Sequence, residues 1–100
     1  MVKHIVFWRF PEESDGHTRE ENLDRVERSL HDMVGRIPQI LSLEVGRDFN
    51  RSAAAYDLAL VTTFASREDL EAYQAHPEHI PSKQLVAAVG PEAAVVDYYC

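Results

Sequence analysis

The chain predicts an α+β fold built on one antiparallel sheet, and three observations carry that reading. Four short runs rich in β-branched and aromatic residues fall at 4–10, 40–45, 56–64 and 93–99. Two segments with apolar residues at helical spacing separate them, in the order β-α-β-β-α-β. The first strand is apolar at both parities, which asks for cover on both faces of the sheet.

Each element has a local cause. Residues 4–10 carry a single charged side chain, Arg9; His4, Val6 and Trp8 share one parity, Ile5 and Phe7 the other. Residues 11–16 read as an acidic, turn-rich loop. From Thr18 the period changes: Leu23, Val26, Leu30, Met33 and Val34 follow three-to-four spacing with Arg, Glu and Asp between them. Thr18 and Glu21 form a capping-box pair at the start, and Gly35 followed by Pro38 stops the helix. Residues 40–45 alternate, with Ile40, Ser42 and Glu44 against Leu41, Leu43 and Val45, and Gly46 ends the strand. A polar loop at 47–54 leads to the third strand, 56–64. Ser66 caps the second helix, with Asp69 in the capping-box position and Leu70 and Tyr73 on one face. His76-Pro77-Glu78-His79 interrupts that helix; Pro77 suits the first position of a new helical piece, which continues over 81–89 until Gly90-Pro91. The fourth strand closes at 93–99. This order is the ferredoxin-like split βαβ arrangement, with the helices on one face of a four-stranded antiparallel sheet. Ile5 and Phe7 leave the other face apolar, and a second copy packed sheet to sheet would cover it, giving a homodimeric α/β barrel.

Composition bounds the function. One hundred residues with 10 Lys+Arg and 17 Asp+Glu give a net charge of −7, and 45% apolar with 27% charged residues is ordinary globular usage. One domain over 1–100 is expected. Its acidic balance argues against a nucleic-acid partner. No apolar run approaches the roughly 20 residues of a membrane span, and the opening residues lack signal-peptide character. A soluble, cytoplasmic protein with no membrane partner is therefore expected. Cys100, the one cysteine, makes neither an internal disulfide nor a Cys-rich zinc site. Four isolated glycines make no phosphate loop, and there is no Gly-x-Ser-x-Gly elbow.

Several short stretches then align in order: Lys3-His4-Ile5-Val6, Ile37-Pro38-Gln39-Ile40, Val45-Gly46-Arg47-Asp48, Tyr56-Asp57-Leu58, Thr63-Phe64, Leu70-Glu71-Ala72-Tyr73 with His76-Pro77-Glu78-His79, and Val95-Val96-Asp97-Tyr98. Together they closely resemble the stress-responsive dimeric α/β-barrel (Dabb) domain family, over nearly the whole chain. The resemblance implies a ferredoxin-like monomer and a homodimeric barrel. It also implies two kinds of use. Some members are durable, stress-induced proteins; others cyclise linear polyketides by aldol chemistry without metal or organic cofactor. In that branch a histidine of the HPxH motif is the base and a tyrosine three residues before the motif assists, which here are His79 and Tyr73. The strand-one histidine of the same pocket matches His4. The chain departs from the cyclases at Leu58, where they place a histidine, at Trp8, where smaller aliphatics are common, and at Glu27 and Leu30, where they carry aromatic walls.

Histidine exchanges protons near neutral pH, and an aldol cyclase needs a base for a carbon-bound proton and a donor for the oxyanion. The reading is a helix–sheet pocket with His79 and Tyr73 as catalytic residues and His4, Val6, Trp8, Leu58 and Leu60 as its ligand-binding lining. Its ligand would be small, largely apolar and oxygenated, aromatic or polyketide-like, with no cofactor. His76 and His79 are close enough in sequence to share a metal, but Pro77 separates them and no third ligand is set by spacing, so no metal is assigned. Each residue also has a structural reading: Tyr73 as a core tyrosine, His76 as a cap before Pro77, His4 and His79 as satisfied core histidines, Trp8 as a plug filling the space. His17 and His31 are placed on the surface. Two other functions stay open: a non-catalytic stress-related structural or binding dimer, and a cofactor-independent monooxygenase of the kind found in related dimeric barrels.

Overall fold

A computed structural model describes residues 1–100. Strand β1 (Val2–Arg9) is followed by a short hairpin, β2 (Glu13–Ser14) and β3 (His17–Thr18), and by helix α1 (Arg19–Asp32). Strands β4 (Ser42–Arg47) and β5 (Leu58–Phe64) precede α2 (Arg67–Ala75), a 3-10 turn (Pro77–His79), α3 (Ile80–Val89) and β6 (Glu92–Tyr99). The main sheet has the order β4-β5-β1-β6, with every neighbouring pair antiparallel. This is the expected α+β ferredoxin-like fold.

Alternation decides the two faces. Val2, His4, Val6 and Trp8 are buried beneath the helices, and their partners Phe64, Thr62, Leu60 and Leu58 on β5 lie on the same side. Leu23, Val26 and Leu30 of α1 and Leu70 and Tyr73 of α2 close the core over them. Each such side chain contributes about 1.5–3 kcal/mol by leaving water. The residues between, Ile5, Phe7, Val96 and Tyr98, face away from the helices; Phe7 is 42% exposed and Val96 60%.

The caps form as the local sequence requires. Thr18 Oγ1 accepts from the Glu21 backbone and the Glu21 carboxylate accepts from Thr18 N–H, a full capping box that holds the Glu21 carboxyl below the usual range. At α2 the Ser66 hydroxyl accepts from Asp69 N–H. Helix α1 stops at Asp32, three residues before Gly35 takes a φ of +84°.

Three local readings change. Residues 11–18 hold a hairpin rather than a plain loop. Its two-residue turn uses positive φ at Asp15 and Gly16. The hairpin is stitched to α1 and α3: Asn22 Nδ2 donates to the Ser14 carbonyl, and Ser14 Oγ to the Val89 carbonyl at the end of α3. Strand β4 begins at Ser42, because Ile40 N–H is spent on a turn to the Ile37 carbonyl, and Gly46 does not end it: the ladder continues with Gly46 opposite Ala59 and Arg47 opposite Leu58. Strand β5 begins at Leu58, because Asp57 acts as a clasp: its carboxylate accepts from Phe10 N–H at 2.7 Å and from the Arg51 guanidinium at 2.8 Å.

Candidate functional site

Helix α2 ends at Ala75, and His76 adopts extended backbone, as a residue before proline must. His76 Nδ1 accepts from Glu78 N–H at 3.0 Å, so this histidine caps the following turn. Pro77 starts that turn, and His79 closes it. The reversal folds His79 back against the preceding helix, where its ring stacks on Tyr73 with centroids 4.1 Å apart and planes 25° from parallel. Tyr73 in turn packs against Phe64 and meets the His4 ring edge-on at 6.1 Å.

The hydrogen bonds set the tautomers. His79 Nδ1 lies 3.1 Å from the Tyr73 carbonyl. A carbonyl only accepts, so Nδ1 carries the proton and Nε2 keeps its lone pair. Burial pushes the His79 pKa down to about 4, opposed by the bond to Tyr73 and aided electrostatically by Lys83 and the neighbouring His4 and His76. His79 is therefore neutral at physiological pH. Burial pushes the Tyr73 hydroxyl above its ordinary value, so it remains a donor. His4 Nδ1 is 2.5 Å from Asp97 Oδ1, directly across the β1–β6 ladder. A carboxylate there holds the His4 proton on Nδ1 and turns Nε2 inward.

Tyr73 Oη, His4 Nε2 and His79 Nε2 make no hydrogen bond within the chain, although the three residues are 1%, 5% and 8% exposed. None is sealed in the core either; the enclosed atom without a partner is Gln39 Oε1. All three border a cavity of about 360 Å³ between α2, α3 and the sheet. That space exists because β6 is an edge strand which the helices cover incompletely: Ala93 and Val95, on its helix side, border the cavity and stay exposed. No group of three or more His, Cys, Asp or Glu side chains gathers where it could hold a metal ion.

Comparison with known proteins gives this arrangement a family. The sequence model of the stress-responsive A/B barrel domain, Dabb, matches residues 2–100. The chain belongs to the Dabb family. A dimeric protein of ferredoxin-like fold from Bacteroides fragilis is 28% identical, with a TM-score of 0.82 over 99% of this chain and 95% of its own. A dimeric ferredoxin-like protein from Thermobifida fusca is 24% identical, with a TM-score of 0.83 over 99% and 90%. A hydroxynitrile lyase from Passiflora edulis, 20% identical, gives a TM-score of 0.78 over 97% and 90%, a likeness of fold. No curated protein matches the chain in sequence.

Of the Dabb residues expected in the pocket, the structure brings His4, Val6, Trp8, Leu60, Tyr73 and His79 to one cavity. Leu58 is not among them. It shares the face of Leu60, but two residues along a strand displace it by roughly 7 Å. It lies buried at the start of β5 and borders instead a groove with Phe7, Gly46, Tyr56 and Ala59. Trp8 does not plug the space; its indole is one wall of it. The sequence reading missed Asp97, and it missed Gln74, Ser82, Lys83 and Val86 on the helical wall. Asp97 had a signal: in a β1–β6 antiparallel pair, counting the register places it opposite His4. Lys83 also had one, standing four residues after His79 in helical spacing.

No helix is long and apolar enough to cross a membrane.

Proposed function

We propose that this Dabb protein works as a homodimer whose protomers each hold a small, largely apolar, oxygenated molecule in this cavity and move a proton on it without a cofactor. The observation that carries the reading is the convergence of three unpartnered polar atoms, on Tyr73, His4 and His79, on one apolar-walled space. The dimer is supported by the apolar face left by Ile5, Phe7, Val96 and Tyr98, and by the dimeric Bacteroides relative. The Passiflora lyase, which shares the fold, supports an enzymatic use of it.

The chemistry follows from the tautomers. His79 Nε2 takes a proton from a carbon flanked by carbonyls, and the C–H electron pair passes into the enolate. A base with so low a pKa needs a carbon acid activated in this way. The Tyr73 hydroxyl donates to the oxyanion as charge develops there. The enolate carbon then bonds to a second carbonyl of the same molecule, and the His79 imidazolium returns its proton to the new alkoxide. His4 Nε2 accepts from a hydroxyl of the ligand.

The test is turnover of linear polyketones, followed by absorbance and mass. His79→Ala should lower the rate by about 100-fold or more, and Tyr73→Phe by about 10- to 100-fold, with the folded dimer kept in both. Unchanged turnover in His79→Ala removes it as the base. A wild-type protein that neither binds nor converts such compounds, in an otherwise durable dimer, would favour the non-catalytic reading.

A further inference from the structure

We infer that the ligand carries a carboxylate, and that Lys83 at the cavity's mouth selects for it. This rests on the pocket reading above and adds the charge of the molecule that fills it.

The cavity wall is apolar and weakly polar apart from one fixed formal charge, the Lys83 ammonium. Lys83 lies in the first turn of α3, four residues after His79, so the two side chains share a face. Its Nζ donates to the Gln74 carbonyl in the last turn of α2, and both residues border the cavity. An ammonium has three donors, and the chain engages one. Although the chain has 17 carboxylate side chains against 10 Lys and Arg, none pairs with Lys83. Asp97, the nearest in function, is committed to His4. A cation with spare donors beside a pocket that offers no anion of its own fits a ligand that brings one. A carboxylate on Lys83 would fix one end of the molecule and leave its body against Val6, Trp8 and Leu60, within reach of Tyr73 and His79.

There is a competing account: Lys83 only satisfies the C-terminal carbonyls of α2, where a cation is favourable in any case. The two accounts differ in one readout. The His79 ring stacks on Tyr73 from α2 and feels the titratable groups of His76 from the turn, Lys83 from α3 and His4 from β1, and the positive charge of Lys83 is among the causes holding its pKa down. A bound anion offsets that charge; a neutral ligand does not.

The probes are 3-phenylpropanoate and its neutral amide, 3-phenylpropanamide, titrated into the 100-residue protein while the His79 ring is followed by nitrogen–proton NMR. The expected result is acid binding about tenfold tighter than amide, the size of one charge-assisted hydrogen bond. Saturation with acid raises the His79 pKa, and saturation with amide does not. Lys83→Met should bring the two affinities together and abolish the acid-dependent rise, and Lys83→Arg should keep both. Equal affinities in the wild type, or an acid preference surviving in Lys83→Met, overturn the inference while leaving the pocket intact. A lower melting temperature in Lys83→Met with an unchanged acid-to-amide ratio does the same, and assigns Lys83 to the helix end. If neither probe moves the His79 ring, the pocket reading falls and this inference with it.

Discussion

The two faces of the β1 strand come from alternate residues of one eight-residue segment, yet they pose opposite problems. On the helix side, Val2, His4, Val6 and Trp8 are buried, and the one polar member is joined to Asp97 and turned toward a cavity. On the other side, Ile5 and Phe7 are apolar, and with Val96 and Tyr98 they remain partly exposed. The comparison separates two uses of apolar surface. Where helices cover the sheet, burial shifts the pKa values of Tyr73 and His79 and keeps both side chains neutral near pH 7. Where nothing in the chain covers it, apolar surface has association as its use.

The strongest challenge to that division is at Tyr73, the hinge of the covered face. Tyr73→Ala should destabilise the fold by about 3–5 kcal/mol, because it empties space against Phe64, His4 and His79. Tyr73→Phe removes only a hydroxyl that bonds to nothing in the chain, and should cost less than about 1 kcal/mol. Chemical denaturation of both variants checks this; equal losses would mean that the hydroxyl has a structural partner.

On the open face, Val96→Glu places a charge where the partner copy should sit. The expected outcome in sedimentation is a dimer dissociation constant raised by about 30-fold or more, from the cost of roughly 2 kcal/mol or above for burying an unpaired charge at an interface centre. The monomer fold should survive, since Val96 is exposed within one chain. A dimer of unchanged affinity would move the interface elsewhere.

A third effect is in pH. His79 has a folded pKa near 4, below the ordinary 6.5. Between these values the unfolded chain binds more protons than the folded one, so stability is full above about pH 6.5 and declines as pH falls toward 4. His79→Leu should flatten that part of the curve. The covered face, then, is acid-sensitive through this ring, whereas the set of Ile5, Phe7 and Val96 carries no titratable group.

Much of this was local enough to read from residue order. The parity of His4, Val6 and Trp8 against Ile5 and Phe7, the Thr18–Glu21 box, the Ser66 cap and the break at His76-Pro77 all depend on neighbours within a few positions, and each stands in the fold as the local chemistry demands. The resemblance to the Dabb family, carried in part by His76-Pro77-Glu78-His79, is what named His79 and Tyr73 as candidates. Tertiary structure alone decided the rest. Parity says which face a strand residue takes, but not how far along the strand the covering helices reach. Nor does it say which covered residues border open space: Leu60 walls the cavity, while Leu58, paired across the ladder with the cavity-lining Trp8, is buried away from it. Pairing of His4 with Asp97 spans 93 residues and exists only once β1 and β6 are in register. Lys83 is one of many surface-type charges until α2 and α3 meet at an angle that lends it the Gln74 carbonyl and leaves it at the mouth of the pocket. Short-range chemistry chose the elements; the placement of their ends, which is long-range packing, made the site.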